Sequence, residues 1–341
     1  MSAPRVAVVG ATGAVGTTML SILRERAFPA AAIVPFASPR SAGRELDGAT
    51  EPVRPLAEGA DVSGFDLALF SAGSGVSGEW APRFAAAGAL VIDNSSRWRM
   101  DPEVPLVVPE VNPDAAAEHA KGIVANPNCT MMQMVVALAP LHAAAGLERV
   151  IVSSYQSTSG TGIAAMEELR DQSHAILHEM DPPPPEVYPH PIAFNVIPQV
   201  ETFRDGDDYT TEERKVIAET RKVMGLPDLR ISATCARVPV LNCHSESLNV
   251  ETRQELSPER AREILAAAPG VEVRDDPAAG VYPLATEAAG RDEVLVGRIR
   301  RDPSNERTLN LWIVGDNLRK GAALNAVQIA ELLLARRLLP A

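Results

Sequence analysis

Val6-Ala7-Val8-Val9-Gly10-Ala11-Thr12-Gly13-Ala14-Val15-Gly16 is the stretch on which the fold of this chain turns. Four consecutive apolar residues read as a short strand buried on both faces, the kind found in parallel sheets. Glycines at 10, 13 and 16 follow, and the next residues predict a helix over 17–26. Between a strand and a helix, such glycines permit a tight turn, close approach of a pyrophosphate to the backbone, and close helix–sheet packing. The spacing is GxxGxxG rather than the commoner GxGxxG, so the strand before it and the helix after it carry much of the argument.

Working outward, Ala32–Ala37 reads as the second strand. A site for NAD wants an acidic residue at its end, to bond the ribose 2′-hydroxyl. This chain has Ser38-Pro39-Arg40-Ser41, and an Arg flanked by hydroxyls suits a 2′-phosphate, so the charge pattern favours NADP. A strand over 65–70 ends in the small-residue turn Ser71-Ala72-Gly73, on the cofactor side of such a sheet. A helix over 77–87, a strand over 90–92 and the hydroxyl- and Arg-rich loop 93–100 come next. Leu106-Val107-Val108 and Ile123-Val124-Ala125 complete a βα alternation, which makes residues 1 to about 125 a doubly wound domain.

At its end stands Asn126-Pro127-Asn128-Cys129-Thr130, followed by a helix-length apolar run to Ala145. Asn128 suits a helix N-cap, which puts Cys129 in the first turn. Partial positive charge and free N–H groups there favour a thiolate, so Cys129 is the candidate nucleophile. Three cysteines make no disulfide framework and suit a reducing compartment; no ligand spacing points to a metal. A net charge of −12 argues against nucleic acid and anionic membranes as partners. With neither a signal segment nor a spanning apolar run, a cytoplasmic protein is expected.

Beyond Ala145 the pattern changes to α+β. A strand over 150–156 ends at Gln156, and a helix over 163–179 is followed by the proline run of the loop Asp181–Pro185. Thr210 and Glu213 fit a capping box for a helix over 212–224. On it, Glu212 and Lys215 lie one turn apart and read locally as a surface ion pair. A strand over 231–240 carries Arg237 and leads to His244. Seven positions is an odd separation, so only a break, which Pro239 and Asn242 permit, brings both side chains to one site. Strands over 293–299 and 308–314 and a last helix over 322–339 close a mainly antiparallel second domain.

A dinucleotide turn, a thiol at a helix start, and a Gln, an Arg and a His at strand ends suggest aldehyde–acyl redox chemistry through a thioester. Here the chain resembles the bacterial aspartate-β-semialdehyde dehydrogenases over essentially its whole length. The resemblance rests on residues 9–16, 126–130, Ser153–Gln156 with Ser159-Gly160, Ile231–Ser245 and Gly315–Gly321. The family usually has Gly where this chain has Cys243. The resemblance implies NADPH-dependent reductive dephosphorylation of L-aspartyl-4-phosphate to aspartate semialdehyde, serving lysine, threonine, methionine and diaminopimelate synthesis. It implies Cys129 as nucleophile, Gln156 orienting the acyl group and His244 as acid/base. Arg237 would clamp the α-carboxylate and Glu212 would take the α-amino group. Lys215 and Arg99, with Asn128, would bind phosphate. Gly10, Thr12, Gly13, Ala14, Val15, Ser38, Arg40, Ser41, Ala72, Gly73, Ser159, Gly160 and Asn317 would line the NADP site. A homodimer paired through the second domain is implied, as is a discontinuous nucleotide domain, 1–127 with 318–341, around a catalytic domain, 128–317.

Two rivals stay open. N-acetyl-γ-glutamyl-phosphate reductases share this chemistry but usually show Pro-Gly-Cys-Tyr where this chain has Pro127-Asn128-Cys129-Thr130. A non-catalytic paralogue acting as a binding module would be expected to lose the thiol or its partners.

Overall fold

The computed structural model describes residues 3–339. They divide into two compact units: one runs to Asn128 and resumes at Ala322, and the other is Cys129–Gly321.

The first unit opens with β1 (Arg5–Val9) and α1 (Ala14–Glu25). The helix starts at Ala14 rather than Thr17, because Gly13 is its N-cap and Gly16 is already inside its first turns. Then come β2 (Ala32–Ala37), β3 (Arg54–Pro55), β4 (Leu67–Phe70), α2 (Ser74–Ala86), β5 (Leu90–Asp93) and β6 (Ile123–Ala125). All pairings are parallel, in the order β3-β2-β1-β4-β5-β6. This is the strand order of dinucleotide-binding sheets, whose ligand crevice lies at the carboxyl ends of the strands beside the reversal at β1 and β4. Leu106–Val108 is not a strand of its own; it contributes a single bridge, Leu106 to Ala125, and Val108 N donates instead to Asn112 Oδ1, a side-chain partner that sequence periodicity cannot see.

The first turn shows why glycine is needed there. Gly10 has φ +81, and a Cβ on it would meet the Ser71 carbonyl oxygen at 2.4 Å. A Cβ on Gly16 would lie 2.2 Å from the Gly10 carbonyl oxygen and 2.7 Å from Ala11 Cα. These neighbours are backbone and have nowhere to go, so Gly16→Ala must push α1 off β1. We expect it to cost about 3 kcal/mol, at the upper end of overpacking penalties, read as a lowered thermal midpoint. Gly13 differs, since a Cβ there meets only the Gly10 oxygen, at 3.5 Å. Gly13→Ala is therefore expected to melt as the parent does, and any loss on it should appear in nucleotide binding.

The second unit holds α3 (Cys129–Ala145), β7 (Leu147–Gln156), α4 (Ile163–Leu177), α5 (Thr211–Met224), β8 (Arg230–Arg237), β9 (His244–Thr252), α6 (Pro258–Ala266), β10 (Val271–Val273), α7 (Ala285–Ala288), β11 (Val294–Asp302) and β12 (Asn305–Gly315). Its sheet has the order β10-β11-β12-β9-β7-β8, antiparallel at its three central pairings and parallel at the two outer ones. Helix α3 is apolar all round and buried along most of its length, so it lies in the interior, packed with α5, α6 and the sheet. The capping box is formed as the sequence predicts: Glu213 N donates to Thr210 Oγ1, and Thr210 N donates to the Glu213 carboxylate.

The chain then makes a π-helical turn, Arg319–Ala323, and ends in α8 (Leu324–Ala335). This last helix joins the core of the first unit, where Leu324, Val327, Ile329 and Leu333 are buried with Val6, Leu20, Leu69 and Ile92. No helix among the described residues is long and apolar enough to cross a membrane.

Candidate active site

Five of the expected residues converge within the second unit. Cys129, the first residue of α3, has its sulfur 3.4 Å from His244 Nε2. It is partly exposed, whereas Cys235 and Cys243 are buried, and burial pushes both of those thiols up. Of the three thiols, Cys129 alone is placed to react.

His244 begins β9, and Arg237 ends β8, so the break between them is real and each side chain has its own strand. Both reach one point: a Cβ on Gly160 would lie 3.1 Å from His244 Cε1 and 3.2 Å from Arg237 Nη1. His244 is wholly buried. Its Nδ1 accepts from the main-chain N–H of Ser157, at 3.0 Å. A main-chain N–H can only donate, so the neutral ring carries its proton on Nε2, the nitrogen that faces sulfur. Burial, and then the Arg237 charge, hold the imidazole well below its ordinary range; a smaller effect of the Cys243 carbonyl runs the other way. His244 therefore stays neutral and presents an N–H to the sulfur.

The positioning of His244 runs back through Asn317. Its Oδ1 accepts from Ser157 Oγ at 3.1 Å, from Ser159 Oγ at 3.1 Å and from the Cys243 N–H at 3.0 Å. Cys243 has φ +75, in the left-handed region that costs a non-glycine residue about 1–2 kcal/mol. That is the position where glycine was anticipated, and the three-way hold by Asn317 helps keep the strained residue in place. Ser159 and Asn317, expected to line a nucleotide, thus have their side chains engaged with each other and buried.

Gln156, at the end of β7, is 2% exposed and donates to Glu212 Oε1 at 3.0 Å and Ser154 Oγ at 3.2 Å. Glu212 is 3% exposed and also accepts from Thr130 Oγ1 at 3.3 Å. The surface ion-pair reading of Glu212 with Lys215 is therefore corrected. The two groups are 3.9 Å apart, but Glu212 points inward, and Lys215 pairs more closely with Glu201. A one-turn spacing shows that two residues share a helix face, not which way that face looks. Burying a carboxylate costs several kcal/mol unless partners offset it, so Glu212 is here for a reason other than surface pairing. Arg237 is 5% exposed, and its Nη1 donates to the Ser157 carbonyl at 2.6 Å. Its Nε is buried without a partner.

Gln133 and Glu246 went unforeseen. Gln133 donates to Glu246 Oε1 at 2.8 Å and to the His244 carbonyl at 3.2 Å. Burial pushes the Glu246 carboxyl well above its usual range; the Gln133 hydrogen bond works against this, and the Glu212 charge adds to it. No strand is read from the sequence over His244–Thr252; in the structure every second residue there is buried, which puts Glu246 on the same face as His244.

In the first unit, Arg99 is buried and donates to the main-chain oxygens of Asn126, at 3.0 Å, and Asn94, at 2.6 Å. Asn128, also buried, is the last residue of that unit. Gly10 and the turn Ser71–Gly73 lie against each other. Beside them, Ser38 leads into the single turn Pro39–Ser41, where Arg40 is exposed and makes no ion pair among the described residues. The open face of Gly13 leaves room for a dinucleotide's pyrophosphate against the backbone. Among the described residues no cluster of His, Cys, Asp and Glu has the makings of a metal site.

A dinucleotide-type sheet together with a cysteine–histidine pair beside a buried glutamine, arginine and carboxylate defines the semialdehyde dehydrogenase class. The family profiles agree: residues 5–119 match the one described as semialdehyde dehydrogenase, NAD binding domain, and residues 138–320 the one described as semialdehyde dehydrogenase, dimerisation domain. Among relatives, the aspartate-semialdehyde dehydrogenase of Aquifex aeolicus is 53% identical over 338 residues, covering 98% of this chain and 99% of its own. That of Synechocystis is 50% identical over 334 residues, covering 97% and 98%. A solved structure of aspartate semialdehyde dehydrogenase II from Vibrio cholerae, complexed with ASA, superposes with a TM-score of 0.94 at 45% identity, covering 98% of this chain and 99% of that one. The chain belongs to the aspartate-semialdehyde dehydrogenase family.

Proposed function

We propose that the protein converts L-aspartyl-4-phosphate to L-aspartate-4-semialdehyde in the cytoplasm, using NADPH, on the route to lysine, threonine, methionine and diaminopimelate. The observation that carries this reading is the Cys129–His244 contact at 3.4 Å with His244 Nδ1 held by Ser157. Cys129, partly exposed, has lost its proton to solvent and attacks as the thiolate; the bond from the acyl carbon to the phosphate oxygen breaks, and a thioester forms while phosphate leaves. The Nε2–H of His244 supports negative charge on sulfur before attack. It donates a hydrogen bond to the oxyanion of the thiohemiacetal later and keeps its proton throughout. Gln156, braced by Ser154 and Glu212, orients the acyl group. Collapse of the thiohemiacetal oxyanion breaks the carbon–sulfur bond, regenerates the Cys129 thiolate and releases the aldehyde.

Arg237 takes the substrate α-carboxylate. Its Nη1 is committed to Ser157, and the buried, unpartnered Nε lies on the other edge of the fork, the arrangement that suits a carboxylate. Glu212 takes the α-amino group, which compensates the cost of its burial. An acetylated amine would leave Glu212 without a cation, which favours aspartyl phosphate over the N-acetyl-glutamyl rival. Lys215, Arg99 and Asn128 are assigned to the phosphate. The test is phosphate-dependent NADP reduction with aspartate semialdehyde and with N-acetylglutamate semialdehyde. Turnover of the acetylated substrate alone would sink the assignment.

Residues 1–127 with 318–341 are assigned to the nucleotide, through Gly10, Thr12, Gly13, Ala14, Val15, Ala72 and Gly73, and through Ser159, Gly160 and Asn317 of the other domain, 128–317. When bound, NADPH supplies the hydride that reduces the thioester carbon. Ser38, Arg40 and Ser41 hold its 2′-phosphate. Arg40→Ala is expected to raise the KM for NADP at least tenfold while leaving that for NAD within twofold. Equal losses on both nucleotides would count against the contact.

A homodimer paired through the second unit completes the reading. The sheet face opposite α3 supports it: Tyr155, 37% exposed, packs on Trp312 with ring centroids 5.4 Å apart, beside exposed Tyr282 and Leu284. Aromatic groups on an open sheet face fit a partner surface.

A further inference from the structure

Between α4 and α5 the chain runs through residues 178–210, proline run included, without a helix or a ladder strand. A connection of that length in a compact unit asks for a purpose. It is anchored firmly. Buried Glu168 on α4 accepts from the main-chain N–H groups of Glu186, at 2.8 Å, and Val187, at 2.6 Å. One turn on, wholly buried Gln172 accepts from those of Ile192, at 2.9 Å, and Ala193, at 3.2 Å. Ile192, Ala193 and Ile197 form a small core with Leu169, and Tyr188 packs against it.

Besides its ties to α5, this folded segment reaches Arg237. Ile197 and Arg237 exchange both main-chain hydrogen bonds: Ile197 N donates to the Arg237 oxygen at 3.0 Å, and Arg237 N to the Ile197 oxygen at 2.8 Å. From the same segment the Tyr188 ring lies over the Arg237 guanidinium, 5.7 Å from ring centroid to Cζ. The Tyr188 hydroxyl donates to Thr161 Oγ1 at 3.1 Å, which ties the ring to the turn that carries Gly160. Arg237 is thus held by its backbone, by Ser157 at Nη1, and by an aromatic face on its planar group. A long flexible side chain held this way loses little entropy when it meets a carboxylate.

We infer that segment 178–210 is a strap that aims Arg237, with Tyr188 as the positioning residue for recognition of the substrate carboxylate. This rests on the assignment of Arg237 to that carboxylate. Tyr188 touches the arginine and not the reacting atoms, so its effect belongs in binding rather than in the chemical step.

The test compares Tyr188→Leu, Tyr188→Phe and Arg237→Ala with the parent enzyme, measuring kcat and KM for aspartate semialdehyde together with thermal midpoints. Leucine keeps the packing on Leu169 and Ile192 but loses the aromatic face and the hydroxyl. We expect Tyr188→Leu to raise KM about tenfold with kcat within twofold and little change in midpoint. Tyr188→Phe, which keeps the face, should restore most of the affinity. Arg237→Ala should raise KM further. A normal KM in Tyr188→Leu beside a raised KM in Arg237→Ala would overturn the strap and leave the Arg237 assignment standing. A normal KM in Arg237→Ala would overturn the assignment itself. Loss of kcat and midpoint together in Tyr188→Leu, unrelieved by phenylalanine, would show that Tyr188 serves the fold alone and would also overturn the proposal.

Discussion

Replacing Cys129 with alanine is expected to lower kcat by about 10⁴-fold or more, the scale on which an enzyme loses rate when its covalent nucleophile is removed. The fold should not notice. Cys129 is partly exposed, and it opens α3 rather than filling the core of that helix. The thermal midpoint of Cys129→Ala should stay close to the parent's. Selectivity among the thiols gives a second reading: a mild alkylating agent on the native protein should label Cys129 and stop activity in step. Burial pushes Cys235 and Cys243 up and keeps them unreactive. Full activity in Cys129→Ala, or inactivation that tracks labelling of another cysteine, would remove the thioester from the mechanism.

Replacing His244 with alanine is expected to cost about 10²–10³-fold in kcat, the usual worth of one hydrogen-bond donor aimed at developing charge. Glutamine should recover part of that loss, because its amide can offer an N–H where Nε2–H now faces sulfur. The pH profile carries the sharper statement. Burial and the Arg237 charge lower the histidine pKa, so the ring stays neutral as pH falls through the ordinary imidazole value of about 6.5. Charge on His244 appears only at more acid pH. The profile of kcat/KM should therefore show no inflection near the ordinary value that disappears in His244→Gln. An inflection there, abolished by the substitution, would mean an ordinary, solvent-coupled histidine and would undo the argument from Ser157 and Arg237.

How far the site was readable from the chain differs from residue to residue. Cys129 was visible because its location at a helix start follows from local grammar: a short apolar strand, an Asn-Pro-Asn turn, a long apolar run. The capping box at Thr210 and Glu213 was visible for the same reason. Glu212 was misjudged from spacing alone, since helical periodicity places Glu212 and Lys215 on one face but cannot say that Glu212 meets Gln156 and Thr130 in the interior. His244 and Arg237 were legible as candidates through an odd spacing and a plausible break. Ser157, Tyr188 and Ile197 were not, because each acts on a residue of another element through a main-chain group or a ring face. No side-chain identity at those positions announces such a contact.

Sequence by itself determined most of the first domain's elements and their order, the glycines of the first turn, the capping box at Thr210 and Glu213, and a charge pattern at Arg40 that suits a phosphate. These depend on a residue and its near neighbours, so they can be read without knowing the rest of the chain. Tertiary structure alone decided which nitrogen of His244 carries the proton, that Cys129 and His244 meet, and that Arg237 is gripped by a distant strap. Those depend on distances between residues far apart in the chain: 115 positions separate Cys129 from His244. Only the packing of α3 against the sheet that carries β9 brings them within reach.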